Sequence, residues 1–153
     1  RARADVACVI HTHSPAGMAV SALKCGLLPL TQNAMFFGEI AYHDYEGPAI
    51  DLDEQARLVR DLGSNAALIL RNHGLITAGS TVCEAFVVMH WLEKACQAQL
   101  MAMACNAELN RPGDDVVKLT ADRYKPGQRR NITEVEWPAM LRMLERRDPS
   151  YKD

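Results

Sequence analysis

The sequence contains no apolar run approaching the roughly 18 residues that a transmembrane helix needs, and no signal peptide is visible. It also has no isolated cluster of Lys and Arg, and its net charge is −2. Because nucleic acids and anionic membranes attract basic patches, we expect neither as a partner. The remaining composition, 48% hydrophobic and 24% charged over 153 residues, is typical of one globular domain with a hydrophobic core.

Cysteine is scarce and unpaired in its spacing. The chain has five cysteines, an odd number, which are Cys8, Cys25, Cys83, Cys96 and Cys105. This pattern disfavours a disulfide framework and is typical of buried or free thiols in a reducing compartment. We therefore expect a cytoplasmic protein.

Three histidines follow apolar runs that have the pattern of short, fully buried strands. Residues 6–10 precede His11-Thr12-His13, and residues 66–70 precede Arg71-Asn72-His73. His11 and His13 point to the same side of an extended chain because side chains alternate with period two. A third imidazole from the end of a neighbouring strand would complete a three-nitrogen face for a divalent metal such as zinc.

Two other interpretations stand beside the metal site. A single His-x-His pair is a weak motif, and His73 alone is compatible with an ordinary turn. Cys8 could extend the motif to Cys-x-x-His-x-His, but position 8 faces the opposite side of the strand from positions 11 and 13. We therefore interpret Cys8 as a small core residue.

Strands and helices alternate along the chain, which predicts a layered α/β domain. A helix is expected from Ser14-Pro15 to about Cys25, a short strand at 40–42, and a helix over 52–62 that ends at Gly63. A capping box at Thr81 should begin a long helix reaching about Asn106. Its buried stripe is expected to contain Phe86, Met89, Leu92, Cys96 and Leu100.

The C-terminal third is expected to be less regular. Residues 114–131 have the composition of a mobile, polar stretch, and a last helix should begin at a cap at Thr133 and end near Asp148-Pro149. The apolar segment 27–37 and the Met-rich end of the long helix are expected to be covered by a partner subunit.

Two further histidines and two tyrosines were weighed as site residues. His43, between Tyr42 and Tyr45, is a weak candidate for a proton shuttle, and a single backbone hydrogen bond is the more ordinary role. His90 is expected to be structural or exposed. Tyr42 and Tyr45 are candidate hydroxyl donors, although stacking in a hydrophobic seam is the commoner role of such residues.

Three stretches of the chain resemble the class II aldolase/adducin family: residues 9–17, with His11-Thr12-His13-Ser14-Pro15, residues 41–47, and residues 69–75, with Asn72-His73-Gly74. The segments 137–139 and 148–151 are similar to the adducin-related branch. The resemblance implies a three-layer α/β/α fold with a central, mostly antiparallel sheet, and a homotetramer with active sites at subunit junctions. It also implies that His11, His13 and His73 bind a divalent metal, commonly Zn²⁺.

The same resemblance implies two alternative functions. Sugar-phosphate aldolases of the family use the metal to hold a hydroxyl and a carbonyl while a carbon–carbon bond breaks. We therefore expect a metal-dependent lyase, or a related epimerase or dehydratase, acting on a small hydroxy-carbonyl or sugar-phosphate substrate. The alternative is a non-catalytic, adducin-like assembly or cytoskeletal module that retains the metal site.

The start of the chain bears on the catalytic residues. It has no initiator Met and enters a core strand after five residues, so we expect residues 1–153 to be a single domain without its N-terminal segment. The resemblance places the family's acid/base Glu before Arg1. The aldolases also carry a Tyr a few residues after the Pro that follows the first helix, whereas residues 30–33 follow Pro29 here.

Overall fold

A computed structural model of the chain describes residues 2–47, 53–125 and 132–152, with the backbone alone at 132 and 133. Its helices and strands follow one another in this order: β1 (Cys8–Thr12), α1 (Pro15–Ser21), α2 (Gln32–Met35), β2 (Ala41–His43), α3 (Glu54–Leu62), β3 (Ala67–Leu70), β4 (Gly74–Gly79), α4 (Val82–Ala104), α5 (Asp114–Arg123), α6 (Ile132–Arg147) and a final 3-10 turn (Pro149–Lys152).

The four described strands form one sheet in the order β1-β4-β3-β2. The pairs β1–β4 and β4–β3 are antiparallel, and β2–β3 is parallel. Helices α1 and α4 pack on this sheet, and α3 packs against β2 and β3. The predicted α/β fold with a mostly antiparallel sheet is therefore confirmed. No helix in the described ranges is both long and apolar enough to cross a membrane.

The two predicted buried strands differ in their surroundings. All four residues of β3 are buried, as expected for the strand that lies between β4 and β2. In β1, by contrast, half-buried and exposed residues alternate, and Val9 is 59% exposed. The prediction of a fully buried first strand is wrong because β1 lies at an edge of the described sheet, with α4 packed against it.

The core lies between α4 and the sheet. Leu92 and Cys96 of α4 contact Ile69, Leu75 and Val20, all of them fully buried. Met89 belongs to this cluster as predicted, and Leu100 packs against it half-buried. Phe86 does not, because its ring is 43% exposed and lies edge-on to Trp137 of α6, with ring centroids 5.4 Å apart.

Helix ends follow the predicted caps in most places. Thr81 accepts a hydrogen bond from the Glu84 amide, which begins α4, while the Glu84 carboxylate accepts from the Ser80 amide. Gly63, with a φ of +53°, ends α3. The first helix is shorter than expected, since α1 ends at Ser21 rather than near Cys25. The expected cap at Thr133 and the start of the 52–62 helix at Leu52 lie outside the described residues.

The prediction of a mobile stretch from 114 is wrong, since residues 114–123 form α5. Asp114 and Asp115 lie in its first turn, where carboxylates complement the helix dipole. Just after it, Tyr124 packs edge-on against Phe36, with centroids 5.3 Å apart, and its hydroxyl accepts a hydrogen bond from Gln32 of α2. The sequence pattern missed the helix because it is stabilised by contacts with residues about 90 positions away.

Thiol reactivity should follow burial. Burial raises the pKa of the Cys96 thiol to about 12, so this residue stays protonated and unreactive at neutral pH. Cys25 and Cys105 are exposed, and Cys8 and Cys83 are half-buried. We expect Ellman's reagent to label Cys25 and Cys105 rapidly in the folded protein and Cys96 only after unfolding. Rapid native labelling of Cys96, identified by mass spectrometry, would contradict this placement.

Candidate metal centre

The structure brings the three predicted imidazoles together. The Nε2 atom of His13 lies 2.8 Å from Nε2 of His11 and 2.8 Å from Nε2 of His73. The three ring centroids are 4.6–4.9 Å apart. His11 and His13 are exposed and His73 is half-buried, so the three nitrogens form a face that is open to solvent.

The strand register explains this convergence. His11 lies opposite Ile76, and Thr12 opposite Leu75, so β1 ends where β4 begins. His73 immediately precedes β4, which puts it beside His13 across the β1–β4 pair. The third imidazole thus comes from the start of the adjacent strand β4, rather than from the end of β3 as the run of apolar residues indicated.

The turn that carries His73 needs two special backbone positions. Asn72 has a φ of +57°, a left-handed conformation that Asn tolerates better than most residues. A Cβ at Gly74 would lie 2.4 Å from the Thr12 carbonyl oxygen and 3.2 Å from the His13 ring. The Asn-His-Gly sequence is therefore what allows β4 to approach the end of β1 so closely.

Hydrogen bonding identifies the free nitrogen of His11. Its Nδ1 lies 2.9 Å from the Leu75 carbonyl oxygen, which can only accept, so Nδ1 carries the proton. In the neutral ring, Nε2 then carries a lone pair and no proton. A single proton on His13 Nε2 cannot serve both of its 2.8 Å contacts, because a nitrogen that donates to His11 has no lone pair left for His73. A cation among the three nitrogens would satisfy all of them.

Burial and the neighbouring His11 and His13 rings lower the pKa of His73. The neutral form, which is the form that binds metals, is therefore favoured at neutral pH. The backbone of His73 is held by Ser21 of α1, a residue that is 1% exposed. The Ser21 hydroxyl donates to the Met18 carbonyl at 2.7 Å and accepts from the His73 amide at 3.2 Å.

Removing the Ser21 hydroxyl should loosen the third histidine. We expect Ser21→Ala to lower the free energy of unfolding by about 0.5–1.5 kcal/mol, because the His73 amide loses one of its two acceptors and keeps the Leu70 carbonyl at 3.1 Å. Metal affinity should fall on the order of 10-fold, as for other residues that orient a ligand. Calorimetry and competition with a fluorescent zinc chelator measure the two effects. Ser80→Ala, which removes an exposed hydroxyl bonded to Glu84, is the control and should change neither quantity appreciably.

The other candidate residues are placed as follows. Cys8 does not join the histidine cluster, and His90 is exposed on α4. The Tyr42 hydroxyl accepts a hydrogen bond from the Leu27 amide at 2.9 Å, and the Arg71 guanidinium stacks 4.0 Å from the centre of its ring. Tyr45 is 55% exposed, with its ring centroid 6.2 Å from that of His73.

His43 does more than make a backbone hydrogen bond, so that interpretation is wrong. Its ring is 4% exposed, and Nδ1 lies 2.7 Å from Oδ2 of Asp61 on α3. His43 and Glu54 line a cavity of about 230 Å³ together with His11 and His73. The acidic side chains of Asp44 and Glu54 and the basic Arg71 also lie around this space.

Three polar residues with roles in the structure were not found from the sequence: Ser21 and Glu54 lie at the site, and Gln99 lies in the core. Ser21 and Glu54 lie in helices without a recognisable motif. Gln99 of α4 is 1% exposed, and its amide group bonds both the Leu28 amide at 2.6 Å and the Gly26 carbonyl at 2.7 Å. A polar Gln inside an apolar helix stripe was the one available signal, because a buried amide requires hydrogen-bond partners.

Residues 1–100 match the family described as the class II aldolase and adducin N-terminal domain. The chain belongs to this family. It is 45% identical to a crystallised aldolase II superfamily protein from Pseudomonas syringae, with a TM-score of 0.91 over 99% of this chain and 61% of that protein. The structure of an L-fuculose 1-phosphate aldolase from Glaciozyma antarctica matches with 32% identity and a TM-score of 0.68, over 80% of this chain and 46% of that one.

The adducins are related to the chain as well. Rat alpha-adducin is 41% identical over 94% of this chain, which corresponds to 21% of the adducin. The chain spans about 60% of the length of the curated bacterial class 2 aldolase proteins that it matches. These comparisons confirm the predicted family and its class II aldolase-like α/β fold.

Proposed function

We propose that His11, His13 and His73 bind one divalent metal ion, with Zn²⁺ as the first candidate. The observation that supports this is that Nε2 of His13 lies 2.8 Å from Nε2 of both His11 and His73, on a face beside a cavity. Metals bind imidazole nitrogens at about 2.1 Å, so three nitrogens on one ion lie roughly 3.0–3.4 Å apart. The rings need to move outward by only a few tenths of an ångström, and the exposed His11 and His13 have the freedom to do so.

Three ligands leave coordination positions open, as catalytic metal sites require. A bound divalent ion would act as a Lewis acid toward a carbonyl oxygen. We therefore propose a metal-dependent aldolase-type lyase, or a related epimerase or dehydratase, that acts on a small hydroxy-carbonyl or sugar-phosphate compound. The family membership and the similarity to an L-fuculose 1-phosphate aldolase support this class of reaction.

Metal-dependent cleavage tests the proposal. The protein, stripped with a chelator and reloaded with zinc, manganese or cobalt, should cleave at least one member of a panel of L-fuculose 1-phosphate, other sugar phosphates and free ketoses. Because the metal supplies the charge stabilisation, turnover should fall on the order of 100-fold or more in the stripped protein. Equal turnover with and without metal would exclude the metal-dependent mechanism.

The similarity to alpha-adducin supports a second candidate function, a non-catalytic assembly or cytoskeletal module that uses the metal as a structural clasp. The two functions separate cleanly in one experiment. A clasp predicts full metal occupancy and no turnover across the panel. A lyase predicts turnover that His73→Ala abolishes, and the loss of zinc-dependent stability in that variant is expected in both cases.

The proposal also covers the oligomeric state and the cellular compartment. Met101 and Met103 at the end of α4 are 69% and 39% exposed, and we propose that a second copy covers them in a homotetramer. Light scattering that finds a stable monomer at micromolar concentration would contradict this. The free cysteines are in keeping with a reducing compartment, and we propose the cytoplasm.

A further inference from the structure

The His43 ring is held in one tautomer by Asp61. The hydrogen bond between Nδ1 and Oδ2 is 2.7 Å long, and it lowers the pKa of the Asp61 carboxyl, which therefore stays ionised at neutral pH. An ionised carboxylate can only accept, so the proton lies on Nδ1. In the neutral ring, Nε2 then carries a lone pair and no proton.

The second nitrogen of His43 is buried but not hydrogen-bonded within the described residues. Oε1 of Glu54 lies 3.6 Å from Nε2, which is beyond hydrogen-bonding distance. A buried polar atom without a partner is costly, and such atoms are often found where a ligand completes the bonding. His43 thus has an acceptor that no described residue uses.

That group can come from the cavity beside the metal centre. His43 and Glu54 line it together with two of the proposed metal ligands, His11 and His73. Its volume of about 230 Å³ is roughly that of seven waters, at about 30 Å³ each, which is enough for a short hydroxylated carbon chain. A small molecule bound at the metal face would have room to extend into this cavity, which His43 lines.

We propose that His43 is a catalytic base, whose Nε2 takes the proton of a substrate hydroxyl held in this cavity. The inference rests on the lyase activity proposed above. As the O–H bond breaks, the proton passes to Nε2 and the oxygen electrons form a new C=O bond. The adjacent C–C bond breaks, and its electron pair passes to the second fragment, whose original carbonyl oxygen takes the negative charge.

The surroundings of His43 suit this step. Asp61 orients the ring from the Nδ1 side, as the carboxylate does in other histidine-based catalytic groups. Glu54, near Nε2, offsets the positive charge that arrives with the proton. Asp44 and Glu54 both lie beside the cavity, and the guanidinium of Arg71, which also lines it, is engaged by the Leu23 carbonyl and the Tyr42 ring. We therefore expect this end of the site to receive hydroxyl groups, and a substrate phosphate to lie elsewhere.

Nitrogen NMR tests the tautomer and the contact without requiring turnover. In zinc-loaded protein with labelled histidines, the His43 signals should show a protonated Nδ1 and a bare Nε2. Dihydroxyacetone, the smallest suitable hydroxy-carbonyl probe, should then shift the Nε2 signal of His43. A proton found on Nε2 would overturn the inference. So would a probe that moves the ring signals of His11 and His73 and leaves His43 unchanged.

If the probe moves none of these rings, the inference is overturned, and the cleavage panel above decides the lyase proposal separately. If it moves the metal ligands alone, the lyase proposal survives and only the role of His43 fails. His90, exposed on α4, is the internal control, and its signals should not respond in any of these experiments.

Variants test the chemical step with a compound cleaved in the panel above. His43→Gln keeps a polar side chain but not a base, and should lower kcat on the order of 100-fold or more while bound zinc and KM change little. Asp61→Asn should also lower kcat and should alter the tautomer seen by NMR. The matched controls are His90→Gln and Asp122→Asn, in which exposed residues are changed. Unchanged kcat in His43→Gln with full zinc content would overturn the inference.

Discussion

Replacing His11, His13 or His73 with alanine, one at a time, should abolish stoichiometric metal binding. We expect the parent protein to retain about one zinc per chain after dialysis, because three imidazoles and a water molecule complete the four-coordinate sphere of zinc. Each variant should lose affinity on the order of 100-fold or more, since even residues that only orient a ligand contribute 10- to 100-fold. Elemental analysis and chelator competition measure both quantities.

The loss should also appear in stability. Zinc at 100 times its dissociation constant adds about 2.7 kcal/mol to the free energy of unfolding of a protein that binds it only when folded. We expect this zinc-dependent gain in the parent and in the control His90→Ala, and none in the three variants. Unchanged metal content in both His11→Ala and His73→Ala would exclude the proposed site.

Gly74→Ala should have the largest effect of any small substitution in the site. Its Cβ would lie 2.4 Å from the Thr12 carbonyl oxygen, a backbone atom that cannot move without separating β1 from β4. We expect the free energy of unfolding to fall by about 1–3 kcal/mol, the range for overpacking that shifts the backbone. The His13 and His11 rings, 3.2 and 3.4 Å from the same position, would be displaced, so zinc affinity should fall as well.

The control for this variant is Gly113→Ala. There the new Cβ would meet the Asp115 carboxylate at 2.7 Å, the flexible end of an exposed side chain. Denaturant unfolding should show a cost below about 1 kcal/mol, from the weaker helix cap alone. Equal stability and equal zinc affinity in Gly74→Ala and the parent would mean that β4 does not approach β1 as closely as described.

Local sequence patterns predicted the structure correctly where residues close together in the sequence determine it. The alternation of side chains in a strand places His11 and His13 on one side, and their Nε2 atoms are indeed 2.8 Å apart. The cap at Thr81 depends on residues within four positions, and it begins α4 as expected. The same alternation places Cys8 on the side of β1 opposite to His11 and His13.

Predictions were wrong where contacts between residues far apart in the sequence determine the local structure. The α5 helix packs on α2, and Tyr124 just beyond it hydrogen-bonds a residue 92 positions earlier. By its spacing, Phe86 belongs to the apolar stripe of α4. Its ring instead packs edge-on against Trp137 of α6 and stays partly exposed. Val9 belongs to an apolar run, and its exposure depends on which strands and helices flank β1.

The sequence by itself determined the family, the α/β class and the three histidines, because strand parity and the Asn-His-Gly turn are properties of a few consecutive residues. Only the tertiary structure decided what surrounds those histidines. The bond from Asp61 to His43 spans 18 positions, and that from Ser21 to His73 spans 52. Such pairs carry no periodicity, since each is set by how whole helices pack on the sheet. The histidine cluster was therefore predictable from the sequence, whereas the proposed base beside it was not.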